Sequence, residues 1–418
     1  MSTSLKQAIE AAKVRVSAAF DAVVAKGGTK PSVANLAALP SAIESIPSGG
    51  GEEGIEKDIN FFDHKHLVAS YWISEIDSLT ELPEPTHYDH LTFDGWTETL
   101  EEIKDGKCHE VGAMYHTTNG ELRMGVRCDS INLKEIVSIT KVNRVDWGDG
   151  QFDNILTHTY AQYGCYEIVV YATNSFVLNP SKYGQRLVEY YELPSNTNAQ
   201  FSDGTSSGAN DSSVLQYISI PKIVSGRIFL SFSKVEFLVV PPNATTVVCV
   251  SNNCTLRHIA ISNGVTSVQL TNPTSLYSLL LPKSVTSISV SGDLRGMRNL
   301  ALNDNITSVP LFRYVLAKKI EIPASVTSLN QYALSYLYGC YIYIYGSPTM
   351  NGTTFRYSEG LNIYIYSETP PTLQNATTFY NSGKPTVHVK ASALAAYQAD
   401  TNWAAQIANN YLTLVGDL

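Results

Sequence analysis

Two stretches place histidines at ligand-like spacing: Asp63-His64-Lys65-His66 and His87-Tyr88-Asp89-His90. Imidazoles two residues apart on a strand share one face, and zinc takes such nitrogens in a tetrahedral set. Lys65 separates the first pair and the spacing places no third ligand, so exposed turn residues are the expected role. Asp146 and Asp149, in Asp146-Trp147-Gly148-Asp149-Gly150, offer two carboxylates to Ca²⁺. That ion takes about six to eight oxygens, and the sequence supplies no further ones here. We therefore expect no resident metal and no cofactor. GxSxG, HExxH, P-loop and Rossmann fingerprints do not occur, and the C-terminal half holds only His258 and His388 as histidines. The chain reads as non-enzymatic.

The other residues with chemistry to offer are tyrosines. In Tyr341-Ile342-Tyr343-Ile344-Tyr345 and Ile363-Tyr364-Ile365-Tyr366 the isoleucines point one way and the tyrosines the other. Tyr343 and Tyr364 are 21 residues apart, as are Tyr345 and Tyr366. On stacked strands they form an outward ladder, with Tyr341 beside it. Tyrosine pairs a flat apolar face with a hydroxyl, which suits sugar rings or a protein surface, or packing against a neighbouring chain.

That spacing belongs to a longer pattern. Short apolar triplets begin at Ile218, Phe237, Ile259, Leu279, Leu300, Ile320, Ile342 and Ile363, with successive steps of 19, 22, 20, 21, 20, 22 and 21, and Val387 follows after 24. Between them recurs one phrase: ISNGVTSV (261–268), LPKSVTSI (281–288), LNDNITSV (302–309) and IPASVTSL (322–329). No such unit can bury its own apolar residues, so each must lean on the next, and a solenoid of nine coils is expected over 210–418. At ~4.8 Å per strand its sheet would run roughly 40 Å.

Upstream, residues 4–26 favour helix, and Leu5, Ile9, Ala12, Val16, Ala19 and Val23 alternate in steps of four and three. This is a short coiled-coil seam that stops at Gly27-Gly28. PSGGGEEG (47–54) reads as a flexible linker, so the helix over 1–50 is expected to self-associate into a homo-oligomer or dock into a larger assembly through Leu5, Ile9, Val16 and Val23. Residues 55–128 read as a small α+β domain, with strands, a helix ending at Gly106 and a hairpin turning at Asn119-Gly120. Residues 129–195 read as a β-sandwich. The chain is thus multidomain and mainly β.

Charged residues make up 16% of the 418, and 29 Lys+Arg against 38 Asp+Glu give a net charge of −9 with no basic block. Phosphate neutralisation needs clustered cations, so a nucleic-acid partner is not expected. No run approaches the eighteen apolar residues of a membrane span. The first twenty residues carry charges and no apolar h-region, so no secretory signal and synthesis in a cytoplasm are expected. The six cysteines form no CxxC and read as buried thiols, with Cys249 and Cys254 near enough to meet.

Trp147-Gly148-Asp149-Gly150, His158-Thr159-Tyr160 and Tyr163-Gly164-Cys165-Tyr166 together resemble the polycystic-kidney-disease (PKD) type of β-sandwich. That resemblance implies a spacer or binding module. The form I-x-I-P-x-x-V-T-S-I resembles the BspA-like class of leucine-rich repeat, and the ending VHVKASALAAYQADTNWAAQIANNYL is similar to that family's helical cap. The order of parts resembles structural proteins of phages and prophages. It implies a tail-fibre, baseplate or head-fibre component located on the virion, tied to other virion proteins by its N-terminus and adhering to host-surface glycan or protein. The alternative is an adhesin on a bacterial cell surface.

Overall fold

The phrase V-T-S-I/V/L states its own structure. In the computed structural model, which describes residues 57–418 apart from 134–136, 140–141, 173–175, 179–186, 196–200, 203–213, 223, 225, 232–233 and 251–254, every copy does the same work. A tight turn precedes it, closed by Val265 N–H to Ser262, Val285 to Pro282, Ile306 to Asn303 and Val326 to Pro323, at 3.0–3.4 Å. Those four apolar side chains are buried at 0–2% exposure. The threonine then forms a rung: the backbone N–H of Thr266 donates to Thr245, Thr286 to Thr266, Thr327 to Thr307 and Thr349 to Thr327. Hydroxyls of Thr266 and Thr327 follow the same carbonyls at 3.0 and 3.1 Å. A β-branched residue with a short donor repeats the bond of its own backbone, which is why the phrase keeps a threonine there.

Each coil has a front strand and a back strand, both parallel to those of the next coil. Front strands are Phe237–Val240, His258–Ile261, Ser278–Leu280, Asn299–Ala301, Lys319–Ile322, Tyr341–Ile344, Asn362–Ile365 and Thr386–Val389. The register Ile320↔Ile342↔Ile363↔Val387 confirms the 21-residue period. Back strands include Ser267–Thr271, Ser287–Ser291, Ser308–Val309, Ser328–Leu329 and Thr349–Met350. Together they make a β-solenoid of about seven turns, and the protein is mainly β. All nine triplets lie on strands, yet two are not full coils. Tyr217–Ser219 pairs with Val188–Glu192 of another sheet, and Thr386–Val389 leads into helices instead of a back strand. Those helices, Leu394–Ala399 and Thr401–Ala408, precede a final strand, Thr413–Gly416, paired on Thr386–Val389.

The remaining strands form two larger sheets. A six-stranded sheet runs Tyr217–Ser219, Val188–Glu192, Leu122–Asn132, Thr157–Ala172, Val142–Asp146, Phe152–Asp153. Val137–Ile139 and Phe176–Leu178 make a separate pair. Leu122–Asn132 runs through residue 128, so the boundary expected there falls inside a strand. A four-stranded sheet runs Leu67–Tyr71, Ile59–Phe62, His109–Thr117, Leu91–Trp96. Asn119-Gly120 does turn the chain, with Gly120 at φ 73°. It does not make a hairpin: His109–Thr117 pairs within the four-stranded sheet and Leu122–Asn132 within the six-stranded one. Thr117 instead donates its N–H to Leu193 (3.0 Å), which draws the first strand away. The helix expected before Gly106 is a single 3-10 turn, Glu102–Lys104, with Glu102 reaching back to the N–H of Thr99 (2.7 Å).

The four-stranded sheet lies on the solenoid's front face. Phe62 and Met114 pack with the outward side chains Val239 and Ala260. His258, also outward, meets Glu110 at 3.0 Å with both side chains buried. Gly112 lets the strand come this close, since a Cβ there would stand 2.6 Å from Val239 and 2.9 Å from Ala260. Gly112→Val should therefore overpack this contact and cost about 1–3 kcal/mol in urea denaturation; an unchanged midpoint would show that the sheet yields freely. Leu5, Ile9, Val16 and Val23, the linker and Cys254 lie outside the described residues.

Candidate functional site

Beyond the covered coils the front face opens. Ile342, Ile344, Ile363 and Ile365 point inward at 0% exposure, so the alternating residues must point out. Tyr341 and Tyr345 are each 45% exposed; Tyr343, Tyr364 and Tyr366 are half-buried. Strand register puts Tyr343 on Tyr364 and Tyr364 on His388. Their rings stack at 4.9 Å and 12°, then at 4.4 Å and 6°. Tyr345 stacks on Tyr366 at 5.2 Å and 14°, while Tyr341 lies 6.5 Å from Tyr364.

Charged groups close both ends of the ladder. Lys319 holds its ammonium 5.4 Å over the Tyr343 ring and pairs with Glu321 at 3.0 Å. Tyr345 donates to Glu321 (2.8 Å); burial, then that carboxylate, push its phenol up to about 12. At the other end His388 contacts Asp417 at 3.0 Å. Burial and the neighbouring phenols of Tyr343 and Tyr341 also raise Tyr364. The tyrosines thus remain neutral donors at any ordinary pH. Because the rings stack on each other, their flat faces are already used, which corrects the expectation of open faces for sugar rings. The ladder offers ring edges and a row of hydroxyls instead.

A second ladder went unread in the sequence. Tyr314, Tyr336 and Tyr357 sit in the turns that lead to successive front strands, and their rings stack at 4.3 Å and 5.0 Å. Arg295 lies 4.0 Å over Tyr314, and Arg356 4.6 Å over Tyr357. The signal was available: these tyrosines are 22 and 21 residues apart, the period of the coils.

The histidine pairs do not converge on a metal. The strand ends at Phe62, and Asp63 folds its carboxylate back onto the N–H groups of Lys65 (2.7 Å) and His66 (2.9 Å). His64 is not exposed as expected but buried at 2%, among the rings of Tyr88, Tyr115 and Tyr217 at 5.1–5.5 Å. Neither of its ring nitrogens has a hydrogen-bond partner among the described residues. Burial therefore pushes its pKa down to about 3, helped by Lys65, His66 and His90 against the pull of Asp63. His90 stands 2.6 Å from Glu192, a carboxylate at 1% exposure that also accepts from Tyr217 (3.1 Å). His87 meets only Asp89, at 3.5 Å and fully exposed. No group of three or more His, Cys, Asp or Glu is placed to hold a metal among the described residues.

Asp146 and Asp149 have local duties. Asp146 accepts from Gly148 N–H (3.0 Å), and Asp149 from Gln151 N–H (3.0 Å) and His158 (2.8 Å). The turn they brace carries Gly148 at φ 76° against the backbone of Glu167. It seats Trp147, fully buried, stacked on His158 at 4.8 Å and accepting through its carbonyl from Tyr160. Of the cysteines, Cys249 and Cys340 are buried and Cys108 half-buried, but Cys165 is exposed, against expectation. The chain matches no protein-family model, and no curated protein matches it in sequence.

Proposed function

We infer that the protein is a non-enzymatic virion structural protein, a tail-fibre, baseplate or head-fibre component. In this reading residues 1–50 attach it to other virion proteins and the repeats face outward, adhering to a host-surface glycan or protein. The observation that carries it is the open part of the front face, where Tyr343, Tyr364 and His388 repeat one outward position over three successive coils. Stacked coils present extended, periodic surfaces, and such surfaces serve binding better than catalysis. Rows of hydroxyls with apolar ring edges suit both sugar and protein partners. Within this reading residues 129–195 are a PKD-like spacer and the coils are BspA-like leucine-rich repeats.

The test combines the front ladder with the N-terminal segment. Replacing Tyr343, Tyr345, Tyr364 and Tyr366 with Ser should cut binding to an array of host-surface glycans by about tenfold or more. Each stacked pair contributes only about 0.5–1.5 kcal/mol to folding, so the variant should stay folded. Unchanged binding by a folded variant refutes the ladder as the ligand face. Deleting residues 1–50 should abolish oligomers in light scattering and leave glycan binding per chain intact; a truncated protein that still assembles removes the virion tether and favours a cell-surface adhesin.

A further inference from the structure

The second ladder stands on unusual backbone. Tyr314, Tyr336 and Tyr357 have φ of 61°, 58° and 63°, the left-handed region that side chains other than Asn, Asp and Gly rarely adopt. The next coil holds Asn381 there, at φ 56°, after the 24 residues that also separate the paired positions Asn362 and Thr386. Asparagine, the residue suited to that conformation, therefore serves the turn well. Three tyrosines in its place accept strain, so their side chains must contribute something the turn itself does not need.

What they contribute is a donor strip. The rings stack edge-outward between the guanidinium groups of Arg295 and Arg356. The hydroxyl of Tyr336 is hydrogen-bonded to that of Tyr314, and Arg356 donates to Tyr332 (3.2 Å). The Nε–H groups of Arg313 and Arg356 are buried without a hydrogen-bond partner among the described residues. Asp293 offsets part of the charge, at 2.8 Å from Arg295 and 3.6 Å from Arg313, and Glu359 stands nearby on the paired turn. Three arginines against two carboxylates still make a cationic strip on a chain of net charge −9.

We propose that this strip binds an acidic, carboxylate-bearing polysaccharide. A polymer of identical units fits identical groups repeated once per coil. The backbone N–H groups of Tyr314, Tyr336 and Tyr357 already donate to the next coil, at 3.3, 3.2 and 2.6 Å, so no peptide strand can add to the turns. Only hydroxyls, ring edges and guanidinium forks remain, and these recognise sugar hydroxyls and carboxylates. The site is independent of the front ladder.

The full chain is titrated calorimetrically with polygalacturonate, neutral dextran and polyglutamate at low and physiological salt. Binding of polygalacturonate alone is expected, weaker at the higher salt. The triple variant Tyr314→Asn, Tyr336→Asn, Tyr357→Asn should lose about tenfold or more in affinity, and Arg295→Gln about threefold with a flatter salt dependence. Asparagine already occupies the fourth turn, so the triple variant should keep its far-UV spectrum. If it does not fold, Arg295→Gln and Arg356→Gln decide the matter from the surface. Wild-type protein that ignores polygalacturonate, variants that bind it unchanged, or equal binding of polyglutamate would each overturn the proposal, the last in favour of an acidic peptide.

Discussion

Trp403→Ala is expected to cost about 3–5 kcal/mol, near the upper end for a single substitution, and to unravel the solenoid from its C-terminal coils. Trp403 is fully buried, with its indole N–H donating to the carbonyl of Pro371 (2.8 Å). It meets Tyr397 edge-on at 4.9 Å and Phe379 at 5.6 Å. Asp400 fixes the helix beneath it by accepting from the N–H groups of Asn402 (2.9 Å) and Trp403 (3.0 Å). Asn402 and Gln406 then hold the carbonyls of Leu373 and Asn375. The two short helices therefore close the open end of a stack whose last coils have no further neighbour, and repeat arrays depend on such closure. In hydrogen exchange, amides of Asn362–Ile365 and Thr386–Val389 should lose protection before those of Phe237–Val240. Uniform loss across all coils would contradict this order. Trp403→Phe keeps most of the ring and should cost mainly the single hydrogen bond, about 1 kcal/mol.

The second large effect concerns acid. His64 is neutral in the folded chain down to about pH 3, whereas an unfolded chain protonates it near 6.5. Above that value both states are neutral and the folded state keeps its full stability. As the pH falls toward 3 the unfolded state alone takes up a proton, and stability drops by up to about 1.4 kcal/mol per pH unit. His64→Phe should remove this slope. It should also add about 1–3 kcal/mol near neutrality, because the imidazole N–H is buried unpaired among Tyr88, Tyr115 and Tyr217. His109 acts in the opposite sense. Burial would lower its pKa, but Glu98 and Asp105 on its two ring nitrogens raise it. Since His109 is present in both proteins, the readout is the difference between wild type and variant in urea denaturation at several pH values. A difference that does not change with pH would show that His64 does not drive acid unfolding.

The solenoid was legible because each residue of its phrase has a role set within one coil: a turn, an inward valine, a threonine rung. Tyr343 and Tyr364 were legible for the same reason, since strand alternation assigns their face. Tyr314, Tyr336 and Tyr357 share that period, but turns have no alternation from which to read a direction. What lay beyond local reading depends on distant partners. His64 looked like an exposed turn residue because nothing near it announces Tyr115 and Tyr217. The turn at Asn119-Gly120 was recognisable, yet the partners of its two strands are chosen by Ile59–Phe62 and Thr157–Ala172, which compete for the same edges.

The hydrogen-bonded ladders of the solenoid do not run unbroken. The front ladder lapses between His258–Ile261 and Ser278–Leu280, and again between Asn299–Ala301 and Lys319–Ile322. The back ladder lapses between Ser287–Ser291 and Ser308–Val309. These gaps fall like the joints of brickwork. Where the front parts, Ser267–Thr271 still grips Ser287–Ser291, and Ser308–Val309 grips Ser328–Leu329. Where the back parts, Ser278–Leu280 grips Asn299–Ala301. No bending plane can pass through two gaps at once, so the stack should flex as a stiff rod and not fold at a hinge.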